Sequence, residues 1–210
     1  YINGKLMEKG VHYLKRGMNN LLICDGLVPG DVVVVSAFGT DFRDIQALKD
    51  KGVTIVDSTC GAIINVWKRV EVYAKEGFMA LIHGKYYHEE TRATASQVEK
   101  HPGGTYLVVR DMAQAEDVMA YIAGDFVGGR EAFLTKYAHA ASPHFDPDVH
   151  LRRIGVANQT TMLKSETEEI QRRIREAIRD RDGNDAAFQM FDTICGATQE
   201  RQDALFEMLR

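Results

Sequence analysis

Between residues 31 and 58 the chain passes through one full cycle of apolar and polar positions. DVVVVSAFG (31–39) is a near-continuous β-branched run. DFRDIQALKDKG (41–52) then sets Phe42, Ile45 and Leu48 at three-residue steps, and VTIVDS (53–58) returns to β-branched residues. Short apolar runs bounded by Gly, Asp and Ser predict strands, the three-residue recurrence predicts a helix, and together they predict a βαβ unit. The alternation continues downstream. Ile63, Val66, Trp67, Val70 and Ala74 share one stripe of a helix expected from about Ala62 to Lys75, with Gly77 ending it. FMALIHG (78–84) and TYLVVR (105–110) read as strands, HEETRATAS (88–96) as a loop running into a helix, and MAQAEDVMAYIAG (112–124) as a helix closed by Gly124. The stretch from Phe126 to His150 carries a short helical pattern followed by prolines, and reads as an excursion on the surface. LRRIGVANQTT (151–161) gives the next strand and its exit loop. SETEEIQRRIREAIRDRDG (165–183) predicts an exposed amphipathic helix, with Ser165 as N-cap and Glu168 closing a capping box. FQMFDTIC (188–195) reads as a last strand and ATQERQDALFEMLR (197–210) as a final helix.

Strands separated by helices imply an α/β fold of parallel sheets covered on both faces. In such folds, ligands collect beyond the carboxyl ends of the strands, where helix N-termini point inward. The positions that matter are therefore Ser36 to Gly39, Thr59–Cys60, His83 to Glu90, Asn158 to Thr161, and Thr193 to Thr198. His88, Glu90 and Thr160 lie among them, and so do two of the three cysteines.

Charge narrows the partners. With 26 basic and 30 acidic residues in 210 and a formal net charge of −4, there is no basic stripe to track a phosphate backbone, so nucleic acid is not expected. No run approaches the roughly 18 apolar residues of a membrane span, and no basic-then-apolar leader opens the chain. The expectation is a soluble cytosolic protein, or one of an organelle matrix. The opening Tyr1 in place of an initiator methionine marks a possible fragment.

Cys24, Cys60 and Cys195 are odd in number and widely spaced, which suits reduced thiols or metal ligands better than a disulfide framework. DSTC before one helix and DTIC before another repeat one design. A thiol at a helix N-terminus meets free N–H groups and the positive end of the helix dipole, an environment that suits a nucleophile or a metal ligand. Two converging thiols of this kind are compatible with an iron–sulfur cluster. Other readings of the polar residues stay open from the pattern alone. Glu90 serves equally as a surface carboxylate, Thr160 and Thr198 as helix caps, and His88 as a neutral loop histidine.

VDSTC with VWKRV, IHGKYYHEETRATAS, GVANQTTMLKSETEEI and FDTICGATQERQDAL, in this order over nearly the whole chain, resemble the 4-hydroxy-3-methylbut-2-enyl diphosphate reductase family in its cyanobacterial and plant-plastid form. The resemblance implies three α/β lobes around a [4Fe–4S] cluster held by three cysteines. The implied activity is reductive dehydroxylation of an allylic diphosphate to isopentenyl and dimethylallyl diphosphate, with electrons from a ferredoxin- or flavodoxin-type donor. It implies that Cys60 and Cys195 are cluster ligands, that Glu90 delivers a proton, and that His88, Gln159, Thr160 and Thr198 contact or fix the substrate. Residues 1–59 then correspond to a partial first lobe, 60–194 to a second, and 195–210 to the start of a third. The location implied is cytoplasmic, or the stroma of a plastid.

The chain departs from that pattern at several points. The family's first cluster cysteine, in a Gly-Phe-Cys segment, is expected just upstream of Tyr1. Its Ser-x-Asn diphosphate loop is expected downstream of Arg210. Gly61 replaces the usual proline after the cysteine, and Phe38 stands where many members have a diphosphate-binding histidine. Cys24, in a variable stretch, is expected to be a bystander. The alternative function is a non-catalytic α/β module that keeps a phosphate-like ligand but has lost the cluster.

Overall fold

The computed structural model describes residues 2–18, 20–191 and 194–209. In chain order its elements are α1 (Ile2–Glu8), β1 (Val32–Val35), α2 (Phe42–Asp50), β2 (Thr54–Asp57), α3 (Gly61–Lys75), β3 (Met79–His83), α4 (Glu89–Glu99) and β4 (Tyr106–Val109). They continue as α5 (Met112–Ala123), α6 (Gly129–Lys136), α7 (Pro147–His150), β5 (Ile154–Asn158), α8 (Lys164–Asp182), β6 (Phe188–Met190) and α9 (Gly196–Met208). The strands form two parallel sheets, a pair β1–β2 and a four-stranded sheet in the order β4-β3-β5-β6. This is the α/β class the alternating pattern implies.

The period of two along the central strands sorts the core into two layers. Met79 and Leu81 of β3, with Leu107, Val109, Ile154 and Val156, face α5, α6 and α8, where Val118, Phe133, Ile170, Ile174 and Ile178 meet them. Ala80, Ile82, Val108 and Ala157 point the other way, against Val66, Val70 and Tyr73 of α3 and Val98 of α4. Every residue of β3 and β5 is buried, as expected of strands covered on both faces. Gly155 is needed for the second layer. A Cβ there would lie 2.5 Å from the Tyr73 ring, whose hydroxyl donates to the Val156 carbonyl at 2.8 Å.

Four expectations are corrected. The segment from Phe126 to His150 is no surface excursion: Phe133, Tyr137 and Phe145 are core residues. Phe133 packs its ring within 4.7 to 5.1 Å of Tyr137, Tyr121 and Phe126. This aromatic knot seals the outer edge of β4, where Ala141 bridges Leu107 and Val108 N–H donates to the Ala140 carbonyl, so the edge is covered rather than left open. Second, α8 begins at Lys164 with Leu163 as its N-cap, so Ser165 is not a cap and no capping box forms. The Leu163 carbonyl instead takes both the N–H and the hydroxyl of Thr167, which starts the helix before Ser165. Third, the loop expected at the start of 88–96 is only His88, the N-cap, because α4 already begins at Glu89. Fourth, the β1–β2 pair is covered on one face only among the described residues: Val32 and Val34 are 64% and 66% exposed, and Val56 beside them is exposed as well. The expected last strand is regular over Phe188–Met190 alone, while Asp192 and Thr193 lie outside the described residues.

Candidate functional site

Because the sheets are parallel, the strand exits gather along their carboxyl edges. After β1 the chain turns through Gly39, whose φ is +74° and whose Cα side is pressed against the Trp67 ring, where a Cβ would come within 2.4 Å. This tight turn sets Ala37 and Phe38. The Ala37 carbonyl accepts the Cys60 N–H at 2.9 Å, and the Phe38 ring meets the His88 ring edge to face at 5.2 Å. The exits of β1, β2 and β3 are thereby joined. On the far side, the Gln202 amide of α9 donates to the Met162 carbonyl at 3.4 Å, bringing the helix headed by Cys195 to the exit of β5.

Cys60 and Cys195 are the N-cap residues of α3 and α9, both in extended backbone conformation. Neither thiol makes a capping hydrogen bond, which leaves the sulfurs uncommitted to their helices. Cys60 is exposed and Cys195 half-buried. Thr198 sits in the first turn of α9, its N–H bound to the Cys195 carbonyl at 2.9 Å. Cys24 has a different setting. It is buried, its sulfur faces the Leu22 carbonyl at 3.8 Å, and burial, reinforced by the charge of Asp44, pushes its thiol pKa up. Among the described residues no group of three or more His, Cys, Asp or Glu side chains is arranged to hold a metal ion.

A buried carboxyl follows the β3 exit. His88 is the N-cap of α4, and its Nδ1 accepts the Glu90 N–H at 3.2 Å. A neutral ring that accepts at Nδ1 carries its proton on Nε2. Glu90, in the first turn of α4, is 1% exposed. Its Oε1 accepts the Thr160 N–H at 2.5 Å, while Oε2 is buried with no hydrogen-bond partner among the described residues. Burial raises the carboxyl pKa against the opposing pull of the Thr160 bonds and His88. The net effect shifts this carboxyl toward the protonated form relative to an exposed glutamate.

Gln159 is the strut between exits. Its Oε1 accepts from Lys85 N–H and the Thr91 hydroxyl, both at 3.1 Å, and its Nε2 donates to the Thr161 hydroxyl at 2.8 Å. Two contributors are not evident in the sequence pattern. Arg16 reaches Asp44 at 2.8 Å and Glu89 at 3.0 Å, tying the irregular N-terminal region to α2 and to the start of α4 beside Glu90. A lone arginine in a stretch without periodicity carries no signal of this. His83, the last residue of β3, is fully buried, its Nδ1 2.8 Å from the Thr167 hydroxyl. Burial pushes its pKa down, against the upward pull of Glu166, of the Arg110 backbone and of Asp111.

The described residues thus combine an α/β scaffold with two thiols at helix N-caps and a buried carboxyl between strand exits. The chain belongs to the LytB protein family, whose model matches residues 1–210. It is 47% identical to the 4-hydroxy-3-methylbut-2-enyl diphosphate reductase of Synechococcus sp. (strain RCC307) over 214 aligned residues, which cover 99% of this chain and 50% of that protein. It is 44% identical to the enzyme of the same name from Picosynechococcus sp. (strain ATCC 27264 / PCC 7002 / PR-6), covering 99% of this chain and 50% of that one. The chain thus spans about half the length of the curated relatives it matches. Solved structures share the fold. A structure of (E)-4-hydroxy-3-methyl-but-2-enyl diphosphate reductase superposes with a TM-score of 0.63 at 20% identity, over 98% of this chain and 57% of that one. The corresponding reductase from Plasmodium falciparum gives 0.63 at 18% identity, over 96% and 50%.

Proposed function

We propose that the protein carrying this chain removes the hydroxyl of 4-hydroxy-3-methylbut-2-enyl diphosphate as water, yielding isopentenyl and dimethylallyl diphosphate. The reaction consumes two electrons and two protons. One proton leaves with the hydroxyl oxygen and the other ends on the carbon skeleton. A ferredoxin- or flavodoxin-type protein supplies the electrons, in the cytoplasm or a plastid stroma. The relatives' names support the substrate, and the observation that carries the reading is the buried Glu90 with its unpartnered Oε2.

The residues match a [4Fe–4S] cluster only in part. Cys60 and Cys195 offer two thiols, and no complete set of three ligands exists among the described residues. The rest of the chemistry is assigned to the chain's own side chains. Glu90, its carboxyl pKa pushed up by burial, carries the proton for the departing oxygen on Oε2, while Thr160 N–H fixes the other oxygen so that the acid cannot swing away. His88, fixed at Nδ1 by its capping bond, presents Nε2–H to a diphosphate oxygen. The Gln159 amide is engaged at both ends by internal bonds, so it braces the site rather than touching substrate. Thr198 offers a hydroxyl at the head of α9.

The test is anaerobic turnover of the iron–sulfur-loaded full protein with the allylic diphosphate and a reduced low-potential donor, with products identified by mass spectrometry. Formation of both five-carbon diphosphates is expected. Intact substrate after prolonged incubation of the loaded protein defeats the reading.

A further inference from the structure

His83 holds one end of a short segment directly and reaches its other end through Thr167. At the near end its carbonyl accepts the Gln159 N–H at 2.8 Å. At the far end its Nδ1 lies 2.8 Å from the Thr167 hydroxyl, and Thr167 is bound through both its N–H and its hydroxyl, each at 3.0 Å, to the carbonyl of Leu163, the N-cap of α8. Between these anchors lies Thr160, whose N–H holds Glu90. One fully buried residue therefore spans the loop from Gln159 to Leu163 that presents the partner of the buried acid.

A polar ring is an unfavourable choice for this position unless its bonds are needed. Its Nε2 is buried with no hydrogen-bond partner among the described residues, the nearest acid being Glu166 Oε2 at 3.8 Å. A leucine would fill the space without leaving a ring nitrogen unsatisfied. Glu166 accepts the Met112 N–H at 3.2 Å through its other oxygen, Oε1, binding the first turn of α8 to the start of α5. The ring bond to Thr167 is the short side-chain hydrogen bond that distinguishes histidine from an apolar residue here, beside the pull of Glu166 and of the Arg110 backbone.

We propose that His83 is a positioning residue, clamping the Gln159–Leu163 loop at both ends so that Thr160 N–H stays on Glu90 and water stays off it. Releasing the far clamp would let the loop lift and hydrate Glu90. Since burial is the largest influence on that carboxyl, the acid should then titrate closer to an ordinary glutamate.

The inference rests on geometry and does not require the reductase reading. In the full protein labelled with [δ-¹³C]glutamate, the Glu90 carboxyl signal, assigned by its absence in Glu90→Gln, is followed against pH. Thr167→Val, isosteric but without the hydroxyl, should lower the Glu90 midpoint, and Thr167→Ser, which keeps the hydroxyl, should leave it where it is. His83→Leu should lower it by the same amount as Thr167→Val, and the double variant should go no further, since both remove one clamp. If His83→Leu does not fold, the Thr167→Val and Thr167→Ser pair decides. An unmoved midpoint in Thr167→Val, an equal shift in Thr167→Ser, or additive shifts in the double variant would overturn the clamp. Absence of reductase turnover in the wild-type protein leaves this titration unaffected, so the two failures are distinguishable.

Discussion

Glu90 and Thr160 are 70 positions apart in sequence, yet the glutamate's Oε1 and the threonine's N–H meet at 2.5 Å in a buried contact between the exits of β3 and β5. The pairing has a linkage consequence. The folded-state pKa of Glu90 is raised, so the folded protein holds a proton that the unfolded chain, titrating at about pH 4.3, has already released. The associated stability is fully present below that unfolded value and is lost as pH rises through the folded pKa. Chemical denaturation of wild type and Glu90→Gln across this range should therefore show the variant gaining on the wild type as pH rises from about 4.3. A difference that is flat with pH would mean that Glu90 is not a buried acid.

The three thiols should separate by reactivity. Under anaerobic native conditions, timed iodoacetamide labelling followed by mass spectrometry should modify exposed Cys60 first, half-buried Cys195 more slowly, and buried Cys24 last. Labelling of Cys24 ahead of Cys60 would contradict the placement of both.

Much of this arrangement is legible in the residues. The period of two in β3 and the four-residue steps of Ile170, Ile174 and Ile178 give the sheet and the helix that covers it. The strand-then-cysteine pattern gives Cys60 and Cys195 at the heads of helices. The failures share one cause, that tertiary contacts overrule local pattern. Ser165 and Glu168 match a capping box, but the bonds of Thr167 to His83 and Leu163 start α8 earlier. The Phe133–Tyr137 pair, among prolines and charges, looks like loop until the bare edge of β4 needs a cover. His88 works as a helix cap, a role its residue type does not advertise.

The core carries its own test. Ile174 is fully buried between α8 and the four-stranded sheet, so Ile174→Ala should cost about 2–5 kcal/mol in urea unfolding. Gly155→Ala, which drives a methyl into the Tyr73 ring, should cost about 1–3 kcal/mol. Losses below about 0.5 kcal/mol, the range typical of surface substitutions, would show that these contacts are not close-packed.

Anaerobic iron–sulfur reconstitution of residues 1–210 should give weak, labile absorbance and no reductase turnover, because two thiols at helix caps leave a cubane short of a protein ligand. A missing thiolate should cost several kcal/mol of binding, by analogy with structural metal sites. Stable absorbance that survives both Cys60→Ser and Cys195→Ser would remove these residues as ligands.

The most direct measurement is single turnover of the iron–sulfur-loaded full protein bearing Glu90→Gln, compared with wild type at equal cluster content. If Glu90 carries the proton that accompanies the departing hydroxyl, the rate should fall by about 10²–10⁴-fold, with cluster absorbance and substrate binding retained. A rate within a few-fold of wild type would contradict the account.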